Sequence, residues 1–519
     1  MKRDISMLGL LFMSMSAIIG SGWLFASSYA NTLAGPSSLL AWCVGGILVI
    51  IIAFVFAEIC TMIPVVGASS RIPHYTHGTL TSYAFAWIIW LSYLFYAPTE
   101  VQATIQYLSV IYPSLTVSES GALSIYGYML AVGSLFLFSV INVYSVRWLV
   151  RANTILTFIK IIIPVFISII ILSYFFSSVT EIVHPGGHKF AAHGVHGIMM
   201  AVSVGGIIFA FNGFKLAAEM AGECKNPKVA LPVAIIGSIV ICLFIYLLLQ
   251  TSFLAAIAAG TDLSDSHLGP FASLAKAKKL NMIIPFIYAG AIIAPIAAGL
   301  MYFSSAAKSL YGMSKNGYLP DFLGKLNAHS NPVYAILVSF FTGLLIFIFF
   351  KGWDVLASII TVLFALTYVI GPINLSTMRK KLPDMARPFK LPFGYLWSLL
   401  AFYACTLMIY WCGWHYNMLA DLIIAIGLAA LFIYMAVTRN RNKIKLNFKQ
   451  SIWLWIYLIG VSIISHDSTF GGTKLLSNNT AMVILFFLCV VCNYLEVKFS
   501  LPESVMRERI REALQESNN

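Results

Sequence analysis

Charge is what this sequence lacks. Only 10% of its 519 residues are Asp, Glu, Lys or Arg, whereas 60% are hydrophobic. The mean hydropathy is +0.88. A soluble domain carries about 25% charged residues, so there is too little polar surface here to cover a water-soluble fold. An integral membrane protein is implied. Signatures of common chemistries are missing as well: no H-E-x-x-H, no phosphate-binding G-x-x-x-x-G-K-[ST] and no Ser/His/Asp pattern. That argues against a membrane enzyme and against ATP-driven transport. No segment reads as a long linker, low-complexity tract or soluble signalling domain, which disfavours a permease-like nutrient sensor. Eight cysteines are present, but Cys43, Cys60, Cys242, Cys405, Cys489 and Cys492 lie in apolar runs. The C-x-x-C spacing of Cys489 and Cys492 reads as helix packing, not as a metal or redox site. No cofactor is implied.

What is present is a succession of apolar runs. A membrane-crossing helix needs about 20 such residues. Fourteen runs qualify, near 6–33, 37–63, 83–112, 124–145, 149–176, 195–219, 229–258, 281–312, 332–350, 354–377, 395–416, 418–437, 451–466 and 480–497. The opening "MKRDISMLGLLF" could pass for a signal peptide, but with so many spans following it reads as a retained first helix. The net charge of +13 then has a topological meaning. With the N-terminus placed in the cytoplasm, the outside segments carry only Lys189, Lys276, Lys278, Lys279, Lys351 and Lys474. Lys160, Lys215 and Lys308 fall within spans, and every other Lys and Arg falls inside. Such a bias favours an even number of spans with both termini cytoplasmic. It also assigns the positive charge to anionic lipid, not to nucleic acid.

Two spans carry weak points. The first contains "SAIIGSGWLF", with Gly20-Ser21-Gly22 in mid-membrane; the sixth contains Asn212-Gly213 at similar depth. Backbone groups freed by a break survive in hydrocarbon only where protein or a water-filled cavity satisfies them. Close helix packing through small residues is the plain explanation for either break alone. Breaks in the first and sixth spans together are what two inverted five-helix repeats produce. In that arrangement half-helix ends and unwound carbonyls bind the substrate. The repeats are expected at 1–180 and 190–380, with additional helices over 395–500 and a cytoplasmic tail over 501–519.

Five stretches carry a family resemblance: "IIGSGWLF", "FAEICTMIPVVGASS", "FAFNGFKLAAEMAGECKNPKVALPVAI", "SSAAKSLYGMSKNGYLPDFLGKLNAHSNPVYAI" and "RPFKLP". In this order they resemble the amino acid–polyamine–organocation (APC) permease superfamily, and most closely its bacterial aspartate/glutamate–proton symporter branch. The chain departs from the family pattern at Ala68, where a second glycine is usual, and at Lys308, where arginine is usual. The resemblance implies an all-α, LeuT-like bundle of 5+5 inverted repeats with helices 1 and 6 broken. The implied activity is secondary transport of an amino acid across a bacterial cytoplasmic membrane.

On that expectation, the substrate's α-carboxylate meets the amides around Gly20, Ser21 and Gly22. Its ammonium meets carbonyls near Ile18, Ile19 and Ala210, while Asn212 and Gly213 complete the site. Intramembrane charges are functional hypotheses by default. Lys215 would favour a second, side-chain carboxylate and repel cationic substrates; its bland alternative is pairing with Glu219 at i+4. By resemblance, Lys160 of the fifth span stands where sodium-coupled relatives hold their ion. An amine denied water releases its proton more readily, so Lys160 is a proton-coupling candidate; otherwise it snorkels to the interface. Ser304 and Ser305 could instead complete a sodium site or simply bond back to their own helix. Glu100 is a proton carrier or a partner for a buried cation, and Glu58 a structural element of an inner gate. Trp23, Phe209 and Phe211 are gate candidates. His184, His188, His193 and His196 have metal-compatible spacings but no supporting cluster, and read as an ordinary loop. A neutral amino acid symporter or an amino acid/amine exchanger is the nearest alternative.

Overall fold

A computed structural model describes residues 5–518 except 66, 118–120, 145, 184–189, 192, 262–268, 330 and 438–445. Among these, secondary structure is helical apart from two isolated bridges, Ile5 with Cys224 and Thr116 with Leu123. The first half of the chain forms α1 (Met7–Ile18), α2 (Gly22–Ala34), α3 (Ser38–Met62), α4 (Ala68–Thr76), α5 (Gly78–Ser109), α6 (Ile125–Tyr144), α7 (Val146–Tyr174) and the single turn α8 (Val179–Val183). The sixth span is in pieces, α9 (Gly194–Ser203), α10 (Ile207–Phe211) and α11 (Lys215–Glu219). It is followed by α12 (Pro227–Ala258), α13 (Pro270–Ala277), α14 (Ile284–Lys315), α15 (Val333–Phe349), α16 (Trp353–Tyr368) and α17 (Ile370–Lys381). The remainder comprises α18 (Gly394–Trp411), α19 (Trp414–Val437), α20 (Phe448–Asp467), α21 (Asn478–Phe499) and α22 (Glu503–Asn518).

Fourteen spans are expected from the sequence, whereas 11 helical stretches are long and apolar enough to cross a bilayer. The difference has local causes. Gly22–Met62 runs two expected spans together through a 3₁₀ turn at Gly35–Ser37. The first and sixth spans are cut at their breaks, so that α1 and α9 are too short to qualify, and α15 has only 17 residues. Burial separates an inner set from an outer one. The most apolar window of α5 is 94% buried and that of α16–α17 100%, against 28% for α19 and for α21. The outer helices present Phe432, Ile433, Phe487 and Tyr494 outward, a pattern suited to acyl chains and costly in water. The bundle axis is α5, packed along α14 and α16, and its side chains reach both broken spans, Glu100 at Ser21 and Tyr96 at Phe209.

Candidate functional site

The first break begins where Ile19 (φ −83°, ψ 82°) leaves the helix and ends where Ser21 starts α2. Breaking a helix creates two dipole ends, a negative one at the C-terminus of α1 and a positive one at the N-terminus of α2. Each end is met by the opposite charge. Lys160 of α7 donates its ammonium to the Ser16 carbonyl at 2.8 Å and to the Ser16 hydroxyl at 3.3 Å. Glu100 of α5 accepts the Ser21 amide at 2.8 Å through Oε2. Both side chains are buried. The Trp353 indole donates to the Ser21 hydroxyl at 2.8 Å. Glycine at position 20 lets the Glu100 carboxylate approach the backbone, because a Cβ there would displace it.

The second break runs through Asn212 (ψ 131°) and Gly213 (φ +141°), a conformation open only to glycine. It crosses the first in direct contact. A Cβ on Gly213 would stand 2.5 Å from the Ile18 amide nitrogen, and one on Gly22 would stand 2.7 Å from the Ala210 Cβ. Neutral hydroxyls hold this break: Tyr368 donates to Asn212 Oδ1 at 2.8 Å, and Tyr246 reaches the carbonyls of Ala210 at 2.9 Å and Ile18 at 3.1 Å. Having one hydrogen, Tyr246 shares it between the two breaks. Three of the expected ligand atoms are therefore engaged internally in this conformation. The Ile18 and Ala210 carbonyls are held by Tyr246, and the Ser21 amide by Glu100, an intramolecular carboxylate where the substrate's was expected.

Lys215 is buried and its ammonium has no hydrogen-bond partner. It lies over the Tyr93 ring, 5.7 Å from the centroid, while the Tyr93 hydroxyl donates to Glu219 Oε1 at 3.0 Å. Tyr93 thus touches both residues, the lysine through its ring and Glu219 through its hydroxyl. Buried polar atoms without a partner gather around the breaks: Glu100 Oε1, Tyr96 Oη, Tyr302 Oη, Asn212 Nδ2 and Lys215 Nζ. Of the gate candidates, Phe209 belongs to an aromatic column, stacked on Tyr96 at 5.1 Å and edge-on to Trp353 at 5.3 Å; Tyr96 in turn stacks on Tyr302 at 3.9 Å. Phe211 packs elsewhere, against Trp42 and Tyr246, and Trp23 turns towards Phe271 and Gly290. Ser305 bonds back to Met301 O at 3.0 Å, with Ser304 buried beside it. The Ser305 hydroxyl thus serves its own helix. Tyr96, Tyr246, Tyr302, Trp353 and Tyr368 were not singled out from sequence, because aromatics in apolar spans carry no distinguishing local signal.

Away from the breaks, Glu58 of α3 receives Arg379 at 2.9 and 2.5 Å and the Leu391 amide at 2.8 Å, with Arg387 at 3.5 Å. This cluster clamps α3 to α17 and to the segment following it. In the histidine loop, His193 precedes α9 and His196 stacks on Phe470 at 4.5 Å; His184 and His188 lie outside the described residues.

The family model described as "Amino acid permease" matches residues 5–464. The glutamate/serine transporter AimA of Bacillus subtilis (strain 168) is 32% identical over 95% of this chain and 93% of its own length. The aspartate-proton symporter of the same organism is 28% identical over 97% and 98%. Among solved structures, MhsT in complex with L-phenylalanine superposes with a TM-score of 0.55 at 15% identity, covering 83% of this chain and 100% of its own, a likeness of fold alone. Its LeuT fold matches the expected bundle with interrupted first and sixth spans. The chain therefore belongs to the amino acid permease family of the APC superfamily, as a multi-pass membrane protein.

Proposed function

We propose that this permease is a secondary active transporter of the cytoplasmic membrane that takes up an acidic amino acid, aspartate or glutamate, with a proton. The observation that carries the substrate class is the buried ammonium of Lys215, which makes no hydrogen bond and opens the helix that follows the second break. A buried ammonium without a hydrogen-bond acceptor is costly, and a substrate's side-chain carboxylate supplies one. The names of the two bacillary relatives agree with an acidic substrate. In this reading Ile18, Ile19, Gly20, Ser21, Gly22, Ala210, Asn212, Gly213 and Lys215 form the binding site, Phe209 gates it, and Glu100 and Lys160 couple it to the proton. Residues 1–180 and 190–380 act as the inverted repeats, and both termini face the cytoplasm.

The coupling follows from competition. The substrate's α-carboxylate and the Glu100 carboxylate require the same Ser21 amide, and two anions cannot share it at low dielectric. Protonating Glu100 weakens its hold on the amide, so the substrate binds together with a proton. Lys160 on the Ser16 carbonyl keeps the α1 end closed while it is charged.

The test is uptake of labelled aspartate, glutamate, serine and phenylalanine into proteoliposomes under imposed proton or sodium gradients. The reading expects saturable aspartate or glutamate uptake driven by protons. Accumulation driven by sodium alone would sink the coupling. In Lys215→Ala, aspartate affinity should fall at least about tenfold, or 1.4 kcal/mol, and unchanged affinity would remove the acidic substrate. A second reading, a small neutral amino acid, is favoured by the cover Tyr93 provides over Lys215 and by serine in the name of AimA. It expects serine uptake that survives this substitution.

A further inference from the structure

A second buried ionisable cluster lies where the last span meets the bundle. His77, at the junction of α4 and α5, and Glu496 of α21 are both fully buried, with Nε2 and Oε2 3.0 Å apart. Thr377 of α17 donates to the same carboxyl oxygen at 2.5 Å, and Oε1 has no partner.

The hydrogens of this cluster can be counted. Asn374 donates through Nδ2 to the Ile370 carbonyl at 2.8 Å, which turns its Oδ1 towards the Thr76 hydroxyl at 2.5 Å. Oδ1 only accepts, so the single hydrogen of Thr76 points at Asn374. The Thr76 oxygen then accepts from His77 Nδ1 at 2.8 Å. With Nδ1 carrying a hydrogen, the contact between Nε2 and Oε2 needs one more, on the ring or on the carboxyl. Without it two lone pairs would face each other in a buried site. Burial, with Lys381 adding to it, pushes His77 down to about 3, which leaves that hydrogen on Glu496. The other groups facing the pair are Lys381 of α17, Tyr395 of α18 and the Trp453 ring of α20. Lys381 is directed to the carbonyls of Ser500 and Leu501 at 3.1 and 3.0 Å.

We propose that His77 and Glu496 form a second proton-binding site, separate from Glu100 and Lys160, which ties α17 to the last span when loaded. The link to transport is α17 itself. It follows α16 across an interruption at Val369 and carries both Thr377 and the Arg379 that holds Glu58. A swing of α17 that frees Glu58 also withdraws Thr377 and opens the pair to water. Glu496 then gives its proton to water on the side of the Glu58 cluster and becomes a carboxylate; no electrons move. This inference rests on the transport reading for its consequence but concerns a different pair of residues.

The test uses the full chain in proteoliposomes with the pH of each face set separately and labelled aspartate, glutamate and serine as probes. In Glu496→Gln, the slope of log uptake against pH on the face of the Glu58 cluster should fall by about one proton, with the slope on the opposite face kept. Thr377→Val, which removes a donor that favours the carboxylate, should raise the midpoint of that profile by about one pH unit. Wild-type slopes and midpoints in both variants would overturn the proposal. Should the unaltered protein move none of the three labels, the transport reading has failed, and the site is read directly. Infrared pH-difference spectra of the full chain should then show a carboxylic acid C=O band that Glu496→Gln removes, and persistence of every such band in the variant overturns the site.

Discussion

The two breaks solve one problem by different chemistry. At the first, the ends of α1 and α2 are met by ionisable groups, Lys160 on a carbonyl and Glu100 on an amide. At the second, Asn212 and Ala210 are held by the neutral hydroxyls of Tyr368 and Tyr246, and the turn depends on the backbone freedom of Gly213. A proton can change the first set of contacts and cannot change the second. On the proposed function the pair divides the labour: the first break responds to protonation, and the second fixes the shape into which the substrate fits.

This contrast can be broken in order of expected effect. Gly213→Ala places a Cβ on the backbone of Ala17 and Ile18 at a positive φ. It should cost about 2 kcal/mol or more of stability and abolish uptake of every substrate, with thermal melting of the purified protein as the measurement. Glu100→Gln holds the coupling position permanently neutral. Proton-driven accumulation should drop at least about tenfold and lose its pH dependence while the protein folds normally. An unchanged pH profile would deny the first break its switching role. Tyr368→Phe removes one neutral hydrogen bond to Asn212 and should cost about 1 kcal/mol, read as a small loss of affinity with the pH profile intact. A shift of that profile would blur the division between the breaks.

The positions of both breaks were legible because glycine and asparagine in the middle of apolar runs stand out locally, and Lys160, Glu100 and Lys215 because charge is so scarce in this chain. Their partners were not. The residue that takes the Ser21 amide is 79 positions away, and Tyr246 reaches Ile18 across 228. Helical spacing brings Lys215 and Glu219 together, but it does not show that Tyr93 touches both, through its ring and its hydroxyl. Hydropathy counts fourteen apolar runs where the described residues form 11 helices long and apolar enough to cross a bilayer, because interrupted spans do not yield single long helices.

Sequence alone determined that this chain lives in a bilayer, where its helices cannot continue and which family it resembles. Each of these follows from composition or from local pattern. Only the tertiary structure decided which hydrogen-bonding groups meet at the crossing of α1–α2 with α10–α11, that Phe209 and not Phe211 joins the aromatic column, and that Glu496 of the last span answers His77. In a low-dielectric interior a freed backbone or charged group is costly until it finds a partner, and which partner it finds depends on helix packing across hundreds of residues, which no local pattern records.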